Sequence, residues 1–202
     1  MAIELCEPTA SVYADCLEFG EIEAGAPNAP KVGARAGEAL RLMHNLTMHV
    51  SAKVDYALRA LLELASTAEQ DKEKLTKAEA LAHAQQIPTK FLEGILATLR
   101  NTGFLASQRG ADGGYRLAKN ADEINVADVM RALDGPIAAV RGERPEDLDY
   151  SGTAEHLRDV WVATRAALRS VLEEVTLADI QHGKLPKSVG KLLDNPGAWE
   201  RR

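Results

Sequence analysis

The stretch from residue 75 to residue 117 constrains the fold most strongly, because one proline and a group of glycines fix where its elements begin and end. Thr76 is followed three residues later by Glu79, the pattern of a capping box, which predicts a helix that starts directly after Thr76. Pro88 is excluded from a helix interior but suits a first turn, so a second helix is expected to begin there.

The second helix has an apolar face and a defined end. Gly103 supplies a residue that readily adopts the left-handed conformation that terminates helices. Two short helices joined by a turn of three or four residues form a helix-turn-helix, whose second helix typically enters the DNA major groove. The buried face of that helix is predicted at helical spacing: Leu92, Ile95, Leu96 and Leu99.

Two strand candidates follow the second helix, at residues 104–109 and 115–118. The loop between them, Gly110-Ala111-Asp112-Gly113-Gly114, is rich in the residue that tight turns require. A hairpin here is predicted to be a wing whose tip presents Arg109, which is able to enter a narrow minor groove. The alternative is a small hairpin that only closes the core.

The chain resembles the IscR–NsrR–CymR family of bacterial winged-helix regulators in three segments: HVSAKVDYALRALLELA, IPTKFLEGILATLRNTGFLASQRGADGGYRL and NVADVMRALDGP. The most specific part is RG-x-x-GGY-x-L, from Arg109 to Leu117, because it follows I-P-x-x-FL-E. The resemblance extends from about Met48 to about Gly183. It implies a homodimer that binds palindromic operators in double-stranded DNA, often with an iron–sulfur cluster as sensor.

Charge is distributed in a way that suits DNA binding. Residues 48–120 carry a net charge of +2, whereas residues 1–47 and 121–202 carry −4 each, within a total of −6.

Two candidate DNA-contact residues have alternative roles. For Tyr56 a packing role is as plausible as a DNA contact, and Glu93 either accepts from a cytosine or pairs with Lys90 on its own helix. We expect DNA contacts from the first core helix, the second helix and the wing: Ser51, Lys53, Tyr56, Thr89, Lys90, Glu93, Ser107, Arg109, Gly110 and Tyr115.

A long helix is predicted from Thr153 to about Glu174. Its apolar residues follow the spacing of two helices that pack along their length. On spacing alone this could equally be a core helix, but the resemblance implies an antiparallel dimer helix. The predicted dimer interface is Leu157, Trp161, Thr164, Leu168, Val171 and Val175.

The resemblance also implies three cysteine ligands in the loop before that helix, but the only two cysteines, Cys6 and Cys16, lie near the N-terminus. The positions corresponding to family ligands fall near Glu155 and at Arg158, and neither is a soft ligand for iron. We therefore expect no iron–sulfur cluster, no metal site and no other cofactor. The signal is instead expected from an unidentified small-molecule or protein effector that acts at the loop 140–151.

The predicted fold is mainly α-helical, with a small β-hairpin wing: a winged helix-turn-helix domain plus a long dimerisation helix. We divide the chain into an N-terminal extension (1–47), the DNA-binding domain (48–136), the sensor-position loop and dimerisation helix (137–183) and a loose C-terminal tail (184–202). We interpret the extension as the result of an upstream start and not part of the functional protein; the alternative is a genuine, mostly disordered tail.

Other function classes find little support. The sequence contains no run of 18 apolar residues, no signal peptide and no recognisable catalytic motif, so we expect a cytoplasmic protein without catalytic residues or a membrane partner. We expect a sequence-specific DNA-binding transcriptional regulator, acting as a homodimeric repressor. The alternative is a winged-helix protein-interaction module that signals through a partner enzyme.

Overall fold

The computed structural model describes residues 50–200, so the predictions for residues 1–47 lie outside the described part. Helix α1 spans Ala52–Gln70. It begins directly after Ser51, because the Ser51 hydroxyl accepts a hydrogen bond from the Val54 backbone N–H at 3.2 Å. Its buried residues form one stripe: Val54, Ala57, Ala60, Leu61, Leu64 and Ala65.

The helix-turn-helix consists of α2 (Ala78–Gln85) and α3 (Thr89–Asn101). Gln86 ends α2 in the left-handed conformation with φ 54°, and Pro88 is the N-terminal cap of α3. The start of α3 at the proline agrees with the sequence prediction. The predicted capping box is wrong, because Thr76 forms an antiparallel bridge with Tyr115 and α2 begins without a side-chain cap.

A two-stranded antiparallel hairpin follows α3 and consists of β1 (Leu105–Gln108) and β2 (Gly114–Leu117). Leu105 pairs with Leu117 at the base, and both side chains are buried in the core. Gly103, with φ 79°, separates the hairpin from α3 as predicted. The structure therefore has the mainly helical, winged architecture that the sequence predicts.

Three further helices follow the hairpin: α4 (Val126–Asp134), α5 (Leu157–Leu172) and α6 (Leu177–His182). Helix α5 is shorter than the predicted span of 153–174, because Gly152 (φ 61°) places residues 152–154 in a separate 3₁₀ turn. At the other end of α5, Asn125 and Thr176 form an antiparallel bridge that joins the starts of α4 and α6.

The C-terminal segment differs from the sequence prediction. Instead of a loose tail from residue 184, the chain forms helix α7 (Lys187–Leu193) and a 3₁₀ turn at Pro196–Ala198. Val189, 8% exposed, anchors α7 in a small apolar cluster with Val126 and Val175. The prediction failed because a single buried valine in a seven-residue helix gives no periodic signal.

The main core surrounds α1, which contacts α2, α3, α4, α6 and β2. Leu61, Leu92, Leu96 and Leu99 are completely buried within it. The wing and the helix-turn-helix are therefore fixed to one common support. Within residues 50–200, none of the helices combines the length and the apolar character needed to cross a bilayer.

Candidate nucleic-acid interface

The predicted recognition helix, α3, has one face in the core and one face in solvent. Its four buried residues are the predicted Leu92, Ile95, Leu96 and Leu99. Thr89, Lys90 and Glu93 are all exposed, on the first turns of the helix. The core thus presents these three side chains outward, as insertion into a DNA groove requires.

Tyr56 links α1 to the start of this recognition helix. Its half-buried ring packs edge-to-face against Phe91, with 5.7 Å between ring centroids. The Arg59 guanidinium lies 5.5 Å from the centroid of the Tyr56 ring and donates to the backbone carbonyl of Gln85 at the end of α2. Tyr56 therefore has the packing role that the sequence left open, and its contact with DNA stays a prediction.

Ser51 and Lys53 both have partners within the chain. The Ser51 hydroxyl caps α1, and the Lys53 ammonium donates to the Leu133 carbonyl at 2.9 Å, near the C-terminus of α4. A cation at this position is favourable, because helix C-termini carry partial negative charge. An ammonium has three donors, so one bond to Leu133 leaves Lys53 able to bind a phosphate as well.

The wing and the helix-turn-helix enclose an open cleft of about 430 Å³. Ser107, Arg109 and Gly110 line it from the wing, and all three are exposed. Lys77 and Arg100 line it from the start of α2 and the end of α3. The lining of this cleft thus carries three cations against one carboxylate, Glu79, which leaves the surface beside the recognition helix with a net positive charge despite the acidic chain.

Two features of this cleft differ from the sequence prediction. Tyr115 lines the cleft but is half-buried and packs against the core, and its backbone exchanges hydrogen bonds with Thr76 at 2.8 and 2.9 Å. Lys77 was not among the predicted contacts. The pairing of Thr76 with Tyr115 brings it beside the wing, and this pairing leaves no pattern in the local sequence.

Glycines make the tip of the wing compact. The Gly113 N–H donates to the Gly110 carbonyl at 3.0 Å, which closes the loop. A Cβ on Gly113 would lie 2.2 Å from the Gln108 carbonyl oxygen, and one on Gly114 would lie 2.7 Å from the Thr76 carbonyl oxygen. Both distances exclude any larger side chain at these positions without a backbone shift. The glycines of the motif therefore hold Arg109 at the tip of a narrow hairpin.

Helix α5 is amphipathic, yet none of its residues is buried within the described chain. Leu157 and Val160 are 37% and 53% exposed, and Trp161, Thr164, Leu168 and Val171 are intermediate. The sequence pattern placed Val175 on this surface, but the structure does not. It lies beyond the end of α5, is 7% exposed and packs with Val126 and Val189 of its own chain.

The loop before α5 is anchored without cysteines. Pro145 and Leu148 are buried, and Glu146 pairs with Arg165 of α5, whose guanidinium holds the pKa of Glu146 below its usual value. Among residues 50–200 there is no cysteine and no cluster of three or more metal-ligating side chains.

Glu155 and Arg158, which occupy the positions expected for family ligands, line a polar cleft of about 140 Å³ together with Asp149 and Tyr150. Carboxylate, phenol and guanidinium groups do not fit an iron–sulfur cluster, which needs thiolates.

Comparison with known proteins gives consistent results. Residues 50–183 match the Rrf2 family, described as iron-dependent transcriptional regulators. A putative HTH-type transcriptional regulator of Mycobacterium tuberculosis strain H37Rv is 48% identical over 153 residues, which cover 76% of this chain and 93% of the relative.

Solved structures show the same similarity. The structure of CymR, the global cysteine regulator of B. subtilis, matches with a TM-score of 0.56 and 32% identity, over 67% of this chain and 98% of that chain. The structure of T. potens IscR matches with a TM-score of 0.52 and 27% identity, over 79% of this chain and 96% of that chain.

Proposed function

The chain belongs to the Rrf2 family of DNA-binding transcriptional regulators, and on this basis we propose that it is a homodimeric repressor that reads a palindromic operator without an iron–sulfur cluster. The observation that carries the proposal is the cationic cleft between the wing and the helix-turn-helix. Arg109, Lys77 and Arg100 line this cleft next to the exposed start of α3.

Each part of the surface has a distinct task in this proposal. Thr89, Lys90 and Glu93 enter the major groove, where lysine donates to guanine or phosphate and glutamate accepts from cytosine N4. Arg109 at the wing tip enters the adjacent minor groove, because a narrow minor groove has an enhanced negative potential that attracts cations. Ser51 and Lys53 contact the phosphate backbone and fix the position of the protein on the duplex.

Helix α5 supports the homodimer. An amphipathic helix that buries no residue in its own chain needs a partner for its apolar side. Two antiparallel copies of α5 would cover Leu157, Trp161, Thr164, Leu168 and Val171 on both chains. A two-fold symmetric protein reads two half-sites in opposite orientation, so the operator is a palindrome.

The absence of a cluster rests on the chemistry of the donor set. The cleft at the sensor position offers Asp149, Tyr150, Glu155 and Arg158, and the two cysteines lie outside the described residues at positions 6 and 16. An effector of another kind, a small molecule or a protein, acts at the loop 140–151, which meets α5 through the Glu146–Arg165 pair.

The wing provides the sharpest test. Arg109→Ala should weaken binding to the operator by about 1–3 kcal/mol and reduce discrimination against mutant sites, because it removes the only side chain assigned to the minor groove. Fluorescence anisotropy with operator and shuffled duplexes measures both quantities. Lys72→Ala is the matched control, since it removes an exposed cation that donates to Asn120 beyond the base of the hairpin, outside the proposed interface, and should leave both unchanged. Unaltered affinity and specificity of Arg109→Ala would refute the DNA-binding role of the wing.

A further inference from the structure

The C-terminal segment 184–200 lies beyond the residues matched by the family, yet it has a defined structure. Ser188 donates to the Glu174 carboxylate, and the Trp199 indole N–H donates to the Leu193 carbonyl at 2.9 Å. Asn195 caps the 3₁₀ turn by accepting from the Gly197 N–H at 3.0 Å. The Ser188–Glu174 bond and the packing of Val189 fix the segment just beyond the end of α5, and the other two bonds hold the 3₁₀ turn to the end of α7.

This ordered segment exposes an apolar surface. Trp199 is 73% exposed, Leu192 55%, and Leu185 and Leu193 42% each. We call these four side chains the C-terminal patch. Trp199 lies beside Leu193, because its indole N–H donates to the Leu193 carbonyl, and exposed apolar side chains that lie together are typical of interaction sites.

A second exposed apolar group lies at the opposite end of α5, where Leu157 and Val160 are 37% and 53% exposed. The two groups cannot meet within one chain, because the 16 residues of α5 separate them by about 24 Å at 1.5 Å per residue. Antiparallel pairing of two α5 helices brings the C-terminal end of each beside the N-terminal end of the other. The two apolar groups then become neighbours across the dimer, twice by symmetry.

Charge supports the same arrangement. Residues 184–200 carry three lysines against two carboxylates, Asp194 and Glu200, a net charge of +1. Residues 141–159, the loop before α5 and its first turn, carry six carboxylates against three arginines, a net charge of −3. Opposite charges that meet at the rim of an apolar contact favour one partner and one orientation.

We propose that the C-terminal segment is a clamp, which packs its patch and lysines against the start of α5 and the preceding loop of a second copy of this chain. The inference rests on the proposed antiparallel dimer and extends it beyond the α5 seam. This arrangement also places the clamp next to the loop 140–151 of the second copy, so that an effector bound to that loop would change the affinity of the two subunits for each other.

The first experiment measures dimer dissociation by sedimentation velocity on a dilution series of the full chain. The double variant Leu192→Ser/Trp199→Ala should raise the dimer dissociation constant at least tenfold, because each substitution affects two symmetric contacts. Phe91→Ala is the matched control, since Phe91 is 48% exposed but lies on α3, and its dissociation constant should equal that of the unmodified chain. A double variant that dimerises as tightly as the unmodified chain would overturn the clamp.

The second experiment follows Trp199 directly. The chain has two tryptophans, so Trp161→Phe leaves Trp199 as the sole indole. At concentrations where the variant is dimeric, the Trp199 fluorescence should be blue-shifted and only weakly quenched by acrylamide. After dilution to monomer, the fluorescence should be red-shifted and strongly quenched. Shielding that persists in the monomer would show that the patch is covered by its own chain, and quenching that persists in the dimer would show that nothing covers it. Either result contradicts the clamp while the dimer stands. A chain that is monomeric at every concentration would instead refute the proposed dimer itself.

Discussion

The substitution Gly113→Ala tests the wing through its backbone, without changing any charge. The added Cβ would lie 2.2 Å from the Gln108 carbonyl oxygen and 2.9 Å from the Arg109 carbonyl carbon. Both are backbone atoms and no rotamer change can relieve the contact, so the loop has to open. The hydrogen bond from the Gly113 N–H to the Gly110 carbonyl, 3.0 Å long, would be lost with it.

The expected cost follows from this geometry. Holding the loop in its closed form against such a contact stores strain of about 1–3 kcal/mol. If DNA binding needs the closed form, the complex pays that strain and affinity falls by about 5- to 150-fold, since about 1.4 kcal/mol corresponds to a factor of ten. The hairpin base, Leu105 and Leu117, stays in the core, so the variant should remain folded.

Fluorescence anisotropy with the operator duplex measures the loss, and urea denaturation monitors folding. Gly190→Ala is the matched control, because Gly190 lies inside α7 and an added Cβ there meets no atom within 4 Å. This control should keep full DNA affinity and gain up to about 1 kcal/mol of stability. A folded Gly113→Ala protein with unmodified operator affinity would show that the closed wing is not needed for binding.

Three further predictions concern the dimer, the expected absence of an iron–sulfur cluster, and the hydrogen bonds between Thr176 and Asp179 at the start of α6. Leu168→Glu should make the chain monomeric at micromolar concentration by light scattering, because a charge unpaired in the seam costs several kcal/mol; a dimeric variant would contradict the assignment of α5. Protein purified anaerobically should be colourless, and stoichiometric iron with acid-labile sulfide would contradict the donor-set argument. The pKa of Asp179 is lowered by hydrogen bonds from the Thr176 hydroxyl and backbone N–H. A depressed carboxyl pKa stabilises the fold above the unfolded value of about 3.9 and ceases to do so as the pH falls through the lowered value. The stability difference between the unmodified chain and Asp179→Asn, measured by urea denaturation, should therefore be constant near neutral pH and shrink in strong acid; a difference independent of pH would refute this.

The elements that the sequence predicted correctly are those with strong local signals. Pro88 and Gly103 mark the ends of α3. Proline restricts the backbone conformation and glycine widens its range, and both effects act whatever the tertiary context. Local signals also set the starts of α4 and α6, because the side chains of Asn125 and Thr176 cap these helices. Local chemistry decides these boundaries, so they can be predicted from a single sequence.

The predictions that failed depend on contacts distant in sequence. Thr76 has the pattern of a cap, but its backbone pairs with Tyr115, 39 positions later, so the extended conformation wins over the capping box. The packing of Val175 with Val126 and Val189 likewise removes it from the seam that its spacing suggested. The cleft that joins Lys77 to the wing depends on the Thr76 pairing as well.

Footprinting of the unmodified full chain on the DNA upstream of its own gene, at several salt concentrations, measures directly whether the chain reads DNA sequence as a dimer. We expect one protected region with two inverted half-sites separated by about one helical turn, about 10–10.5 bp between centres. Protection should weaken steeply as salt rises, because phosphate contacts release counterions. Equal, salt-sensitive binding to every duplex, or no binding to any, would contradict the central claim that this chain reads DNA sequence as a dimer.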